Sequence, residues 1–264
     1  MGRIAEAMAR AESEDRAALI IYLCGGDPSL AATPALIQAA AEGGADIVEL
    51  GVPFSDPTAD GPAIQKASER ALAGGATMAG LLAVVEQVRA AGCEVPILLF
   101  GYYNPILAMG EAALCERAAK AGVDGLLVVD LPLEEAPPLR EQSAHAGLDW
   151  VPLVAPTTGL DRAEAIGATA TGFVYSVSMT GVTGSAATNL ASAADRAAEL
   201  AKATGQRIAV GFGIREAADA AVVAAQAAGV VVGSAVVRTI EREGEDAAPA
   251  VRDQVAALAA GCRR

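Results

Sequence analysis

Eight short runs of mostly aliphatic residues recur along the chain, and most of them precede an alanine-rich stretch that favours a helix. Each run has the length of a buried β-strand. Alternating strands and helices imply parallel strands with right-handed crossovers. Eight repeats predict a closed (β/α)8 TIM barrel, and an open doubly wound sheet is the alternative. The runs cover residues 18–23, 46–52, 96–102, 125–130, 150–154, 172–177, 207–211 and 229–233.

The chain length suits one barrel, since 264 residues is close to the usual size of that fold. Proline and glycine fall mostly at the ends of the strand runs and form no linker, so residues 1–264 are predicted to be a single domain. Hydrophobic residues make up 53% of the chain and aromatic residues only 3%. A core of alanine, valine, leucine and isoleucine is typical of a parallel sheet that is covered on both faces.

Charge and cysteine content exclude several classes of protein. The net charge is −13 and the chain has no basic stripe, which argues against nucleic-acid binding. None of the four cysteines has a metal-ligand spacing and there is one histidine, His145, so we expect no zinc site and no disulfide framework. The N-terminus lacks an apolar signal core, and no apolar run reaches membrane-spanning length. A cytoplasmic enzyme is the expectation.

Two connections that follow strands are unusually long, at residues 53–62 and 178–185. In α/β barrels the loops after the strands form the active-site face. Glu49 lies inside the apolar second run, where burial is expected to raise its pKa. Asp60 lies on the loop after the same strand. Two carboxylates in different environments fit an acid–base pair, although Glu49 also fits a salt-bridged strand residue and Asp60 a turn or helix cap.

Glycines at the ends of the seventh and eighth runs favour a phosphate site. Gly213 follows the seventh run, while Gly233 ends the eighth run and Ser234 follows it. Backbone N–H groups at a helix N-terminus bind phosphate readily, although glycine turns alone explain the same pattern. Tyr175, in the sixth run, is predicted either to face the barrel interior or to be a packed core aromatic.

One long segment makes the pattern specific. Residues 48–65, VELGVPFSDPTADGPAIQ, resemble the signature of the tryptophan synthase α-subunit family. Shorter segments match that family in the same order over nearly the whole chain. They are residues 26–29, 102–105, 130–132, 153–158, 181–184, 211–214 and 232–235.

This resemblance implies a (β/α)8 lyase that cleaves indole-3-glycerol phosphate to indole and glyceraldehyde 3-phosphate without a cofactor of its own. Glu49 matches the family's general acid–base, Asp60 the partner of indole N1–H, and Tyr175 a supporting active-site tyrosine. The remaining matches are implied substrate contacts: Tyr102, Leu127 and Phe212 at the indole, Thr183 in the closing loop, and Gly184, Gly213, Gly233 and Ser234 at the phosphate.

The resemblance also implies a partner. In the family the α subunit docks on a pyridoxal-phosphate-dependent β subunit in an αββα complex and passes indole through a tunnel. Residues 53–62 and the Asn104–Pro105 region match that contact surface. Phe100, Gly101 and Val129 depart from the usual family residues near the indole pocket.

Three alternatives stay open at this stage. The chain could be a stand-alone indole-glycerol-phosphate lyase, another phosphosugar barrel such as an isomerase or aldolase, or a non-catalytic barrel that activates a partner. A Schiff-base aldolase needs a lysine at a strand end, and none of the eight runs contains a lysine.

Overall fold

A computed structural model describes residues 2–177, 186–211 and 213–264, and only the backbone of residues 186–189. Strands and helices alternate along the chain, as the sequence predicts. The strands are β1 (Ala18–Cys24), β2 (Ile47–Gly51), β3 (Ile97–Gly101), β4 (Gly125–Val128), β5 (Asp149–Trp150), β6 (Leu153–Val154), β7 (Val174–Val177), β8 (Ile208–Gly211) and β9 (Gly229–Val232).

Helices occupy most of the connections, and a short 3-10 helix, Gly244–Asp246, precedes the last one. The helices are α1 (Arg3–Ser13), α2 (Thr33–Glu42), α3 (Pro62–Ala73), α4 (Met78–Ala90), α5 (Tyr103–Met109), α6 (Glu111–Ala121), α7 (Pro137–His145), α8 (Leu160–Gly167), α9 (Ala186–Thr204), α10 (Ala217–Ala224), α11 (Ser234–Glu243) and α12 (Ala248–Gly261).

The strand segments form one parallel sheet that closes on itself. Its order is β5-β4-β3-β2-β1-β9-β8-β7-β6, and the two terminal segments are separated in the chain only by Val151 and Pro152. Val151 donates its backbone N–H to Leu126 at 3.0 Å, while the carbonyl of Pro152 accepts from Tyr175 at 2.9 Å. The fifth predicted strand is therefore split around a proline that has no N–H to donate. The (β/α)8 barrel prediction is confirmed.

Residues alternate along each strand between the barrel interior and the helical layer, as the two-residue period of a strand requires. On β1, for example, Leu19 and Leu23 pack outward, whereas Ile20 points inward with Leu98 of β3 and Leu127 of β4. The helix α1 closes the floor of the barrel, because its Ile4 and other buried residues belong to the same inner cluster. The interior is thus filled at its base.

Buried carboxylates tie down the N-terminal ends of the strands. Asp46 precedes β2 and accepts from the backbone N–H of Leu19 at 2.9 Å and from the guanidinium of Arg16 at 2.9 Å. Asp124 precedes β4 and accepts from Ile97 N–H at 2.7 Å and from Arg89 at 2.8 Å. These ion pairs satisfy charges that would be costly to bury alone. They leave the opposite end of the barrel for chemistry.

No single helix within the described ranges is both long and apolar enough to cross a membrane. The helices α3 and α4 reach the necessary length and apolar composition only when they are taken together, and the chain bends by 94° between them.

Candidate active site

A cavity of about 330 Å³ lies at the carboxyl ends of the strands. Its floor comes from inward-facing strand residues and its rim from the loops that follow the strands. The main contributors are Tyr22, Glu49, 59–64, Phe100, Val129, Leu153, Tyr175, Val177, 213–215, Val231, Gly233, Ser234 and Arg238. This is the face on which α/β barrels carry their active sites.

Glu49 is the buried acid of this cavity. It lies on β2 with 0% of its surface exposed, and neither carboxyl oxygen has a hydrogen-bond partner among the described residues. Burial raises its pKa to about 8. A salt-bridged strand residue would carry a compensating cation, and the described residues supply none. The side chain is therefore protonated at neutral pH and able to donate a proton into the cavity.

Asp60 reaches the same cavity from the loop after β2. Tyr102, which precedes α5, donates its hydroxyl hydrogen to Oδ2 of Asp60 at 2.9 Å and accepts from the N–H of Ala59 at 3.0 Å. The amide of Gln65 donates to the Asp60 carbonyl at 2.8 Å. Burial raises the pKa of Asp60, and the Tyr102 hydrogen bond opposes that rise. The two carboxyls thus have different environments.

Three aromatic rings form one wall of the cavity. The rings of Tyr22 and Phe100 meet edge to face with centroids 5.4 Å apart, and those of Phe100 and Tyr175 lie 6.1 Å apart. A side chain at Gly51 would collide with the hydroxyl of Tyr22, and one at Gly211 with that of Tyr175. These glycines leave the room that the two tyrosine hydroxyls occupy. Such a wall suits a planar apolar ring.

Tyr175 is a buried tyrosine that faces both acids. Its pKa is raised first by burial and then by the charges of Glu49 and Asp60. The hydroxyl therefore stays protonated and can only donate or accept hydrogen bonds at neutral pH.

The part of the cavity beside the start of α11 is suited to an anion. The helix α11 begins at Ser234 with Gly233 as its N-cap, and no side chain caps it. The first N–H groups of a helix have no partner within the helix, so they can bind phosphate. Gly213 lies beside them with φ of +81°, a conformation that glycine adopts without strain. Arg215, two residues beyond Gly213, and Arg238, four residues beyond Ser234, line the cavity as well.

The structure brings most of the predicted site residues together. Glu49, Asp60, Tyr175, Gly213, Gly233 and Ser234 all line the cavity. Thr183, Gly184 and Phe212 lie outside the described residues, as does the whole 178–185 loop.

Two predicted substrate contacts occupy other places. Leu127 is buried in the interior layer below the cavity, with 1% of its surface exposed. Tyr102 instead contacts the Asp60 loop, and both residues border a separate small cavity of about 10 Å³ beside β3 and β4. Leu127 points into the barrel two residues before the cavity-lining Val129, so it lies deeper in the interior. Tyr102 lies past the end of β3, where the alternation of the strand no longer sets its direction.

Sequence reasoning missed several lining residues, of which Tyr22 and Arg238 carry polar groups. Tyr22 lies within an unbroken aliphatic run, and its inward direction follows only from the barrel register. Arg238 lies four residues after Ser234 on α11, and that helical spacing was the available signal. No group of three or more potential metal ligands occurs among the described residues.

Comparison with known proteins identifies the family. The profile described as "Tryptophan synthase alpha chain" matches residues 8–262. A protein of that name from Geobacter sulfurreducens is 51% identical over 242 residues, covering 92% of this chain and 91% of its own. One from Dechloromonas aromatica is 46% identical over 264 residues, covering 100% of this chain and 97% of its own. The chain belongs to the tryptophan synthase alpha chain family.

Solved structures of tryptophan synthase are similar to this chain in sequence and fold. The tryptophan synthase subunit alpha from Legionella pneumophila is 34% identical with a TM-score of 0.91, over 99% of this chain and 98% of that one. A chain of Mycobacterium tuberculosis tryptophan synthase is 37% identical with a TM-score of 0.88, over 100% of this chain and 99% of that one. The chain is a tryptophan synthase α-type carbon–carbon lyase of tryptophan biosynthesis, and its reaction is the retro-aldol cleavage of indole-3-glycerol phosphate.

Proposed function

We propose that Glu49 and Asp60 are the acid–base pair that cleaves indole-3-glycerol phosphate to indole and glyceraldehyde 3-phosphate in this chain. The observation that carries the proposal is Glu49 itself, a fully buried carboxyl that has no partner among the described residues and lines the cavity at the carboxyl ends of the strands. Burial keeps it protonated at neutral pH, because its pKa is about 8.

Cleavage begins with proton transfer to indole C3. Glu49 donates its proton to C3, which makes the ring an indolenine-like cation that can accept the electrons of the breaking bond. The glycerol hydroxyl on the adjacent carbon then loses its proton to the Glu49 carboxylate, the C–C bond breaks, and that carbon becomes the aldehyde. Its bonding electrons restore the aromatic indole, and Glu49 regains its proton. One group thus serves as acid and base in turn.

Asp60 supports the positive charge on the ring. Its carboxylate accepts a hydrogen bond from indole N1–H, and this bond strengthens as the cation forms. Tyr102 fixes the carboxylate from behind through its 2.9 Å hydrogen bond. Tyr175 contributes to the aromatic wall and has a supporting role.

The phosphate occupies the part of the cavity beside the start of α11. Gly213, Gly233, Ser234 and the first N–H groups of α11 bind it, with the helix dipole adding attraction. Thr183, Gly184 and Phe212 are assigned to the loop closure, phosphate and indole sites by family resemblance. Tyr102 acts through Asp60, and Leu127 supports the pocket from below.

The tryptophan synthase β subunit is the proposed partner, in an αββα complex within the cytoplasm, with residues 1–264 acting as one domain. The loop at 53–62 and the start of α5 form one surface, since the rings of Phe54 and Tyr102 lie 5.2 Å apart. Leu107 on α5 is a large apolar residue with 56% of its surface exposed. An exposed apolar side chain beside a polar loop suits a protein interface.

The test is indole release from indole-3-glycerol phosphate by the purified chain, with and without a tryptophan synthase β subunit. We expect weak release alone and strong activation by the partner. Strong release that does not change when the β subunit is added would indicate a stand-alone lyase instead of a complex. No release in either condition would overturn the proposed chemistry.

A further inference from the structure

The chain is strongly acidic, yet two arginines flank the anion end of the cavity. Arg215 follows Gly213 by two residues, and Arg238 follows Ser234 by four. Residues four apart on a helix share one face, so Arg238 lies on the same side of α11 as Ser234. Both arginines line the cavity, and both are exposed. Two cations therefore stand at the one place where the proposed substrate carries its phosphate.

Neither guanidinium has a hydrogen-bond or ion-pair partner in the described part of the chain. The carboxylates that would compete for them are engaged elsewhere. Glu241, one turn beyond Arg238, pairs with Arg70 of α3 at 2.9 Å. Asp219 accepts from the backbone N–H of Arg215 at 2.8 Å and from that of Glu216 at 3.3 Å. The residues whose side chains are not described, 1, 178–189 and 212, include no aspartate or glutamate.

We propose that Arg215 and Arg238 form a cationic rim that binds the substrate's phosphate dianion in addition to the backbone N–H groups of α11. This assignment rests on the proposed function for the identity of the phosphorylated substrate. The independent sign that the cavity holds a polar ligand is Glu49, whose buried oxygens face the same space without a partner. Guanidinium groups suit this role, because they present several N–H donors to the oxygens of one phosphate.

The direct test measures binding of glycerol 3-phosphate to the full chain by calorimetry at low ionic strength. The variants are Arg215→Gln and Arg238→Gln, and the matched control is Arg242→Gln. Arg242 lies on α11 as well, but it pairs with the adjacent Glu243 at 2.7 Å and does not line the cavity. Glycerol serves as the uncharged ligand.

We expect each cavity arginine variant to weaken glycerol 3-phosphate binding about three- to fivefold, the size of an exposed ion pair. Raising the salt concentration should shrink that difference, because it screens exposed charges. Arg242→Gln should bind like the wild type. Arg238→Lys should recover part of the affinity that Arg238→Gln loses.

If one cavity variant binds glycerol 3-phosphate as tightly as Arg242→Gln does, that arginine does not bind the phosphate. If both variants bind that tightly, the proposal is overturned. A wild type that binds glycerol 3-phosphate no better than glycerol would also overturn it. These readings do not depend on catalysis. Indole release by the wild type tests the proposed function separately, so a chain that cleaves normally with both variants unaffected would reject only the rim.

Discussion

The hydroxyl of Tyr102 donates a 2.9 Å hydrogen bond to Oδ2 of Asp60, and its oxygen accepts a 3.0 Å hydrogen bond from the N–H of Ala59. One phenol thus connects the end of β3 to the loop that follows β2. A carboxylate on a ten-residue loop would otherwise depend on its own backbone for direction. Tyr102 is therefore a positioning residue for Asp60, which differs from a direct contact with the indole ring.

Tyr102→Phe should lower kcat/KM for indole release about tenfold, the cost of losing a hydrogen bond to a charged group. Burial raises the pKa of Asp60 and the Tyr102 bond lowers it. Removing the bond leaves burial unopposed, so the acidic limb of the pH profile should move to higher pH. The measurement is kcat/KM between pH 5 and pH 9.

Tyr103→Phe is the matched control for that experiment. The Tyr103 hydroxyl lies one residue away but donates to Glu111 at 2.8 Å, remote from Asp60. If the acidic limb of the kcat/KM profile moves equally in both variants, or in neither, Tyr102 does not position Asp60.

Glu49→Gln should change the pH dependence of stability. Burial raises the folded-state pKa of Glu49 to about 8, above its ordinary value of 4.5. The folded state therefore binds this proton more tightly than the unfolded state does. That stabilisation is complete below pH 4.5 and is lost as the pH rises through 8. The wild type should lose on the order of a few kcal/mol relative to Glu49→Gln between pH 5 and pH 9.

Urea unfolding at pH 5, 7 and 9 measures this difference. Glu86→Gln, at an exposed position on α4, is the control. It measures how the loss of one surface carboxylate changes the free energy of unfolding. If the free energies of unfolding of Glu49→Gln and the wild type differ by the same amount at all three pH values, Glu49 is not a buried carboxyl without a partner.

Phe100→Leu should raise KM for indole-3-glycerol phosphate and lower the free energy of unfolding by about 1 kcal/mol, because the ring loses its contacts with Tyr22 and Tyr175. Those centroids lie 5.4 and 6.1 Å from that of Phe100. Steady-state kinetics and urea unfolding provide the two measurements. An unchanged KM would show that the aromatic wall does not contact the indole.

Most of the fold could be predicted from the chain because its strands are continuous aliphatic runs. The proline at 152 explains why the structure has nine strand segments where eight strands are predicted, because the fifth strand is in two segments. The role of α1 could not be predicted, since a helix that packs across the barrel floor has the same amphipathic pattern as one that packs outside it. Only the three-dimensional closure of the barrel creates the floor that Ile4 fills.

The site could be predicted in part for a similar reason. Glu49 is conspicuous because a carboxylate interrupts an apolar strand. Tyr22 is inconspicuous in its own run, and its contribution depends on Gly51 of the neighbouring strand leaving room for the hydroxyl. The placement of Tyr102 depends on a hydrogen bond between residues 42 positions apart. Such relations arise from register and loop path, which residue spacing does not encode.

Indole release by Glu49→Gln is the most direct test of the central claim. Glutamine has nearly the same size as glutamate but supplies no carboxyl proton at C3, so we expect cleavage to fall at least about a hundredfold. The circular dichroism spectrum should match that of the wild type, and Asp60→Asn should also lose activity with its fold intact. Cleavage by Glu49→Gln at the wild-type rate would contradict the assignment of Glu49 as the acid.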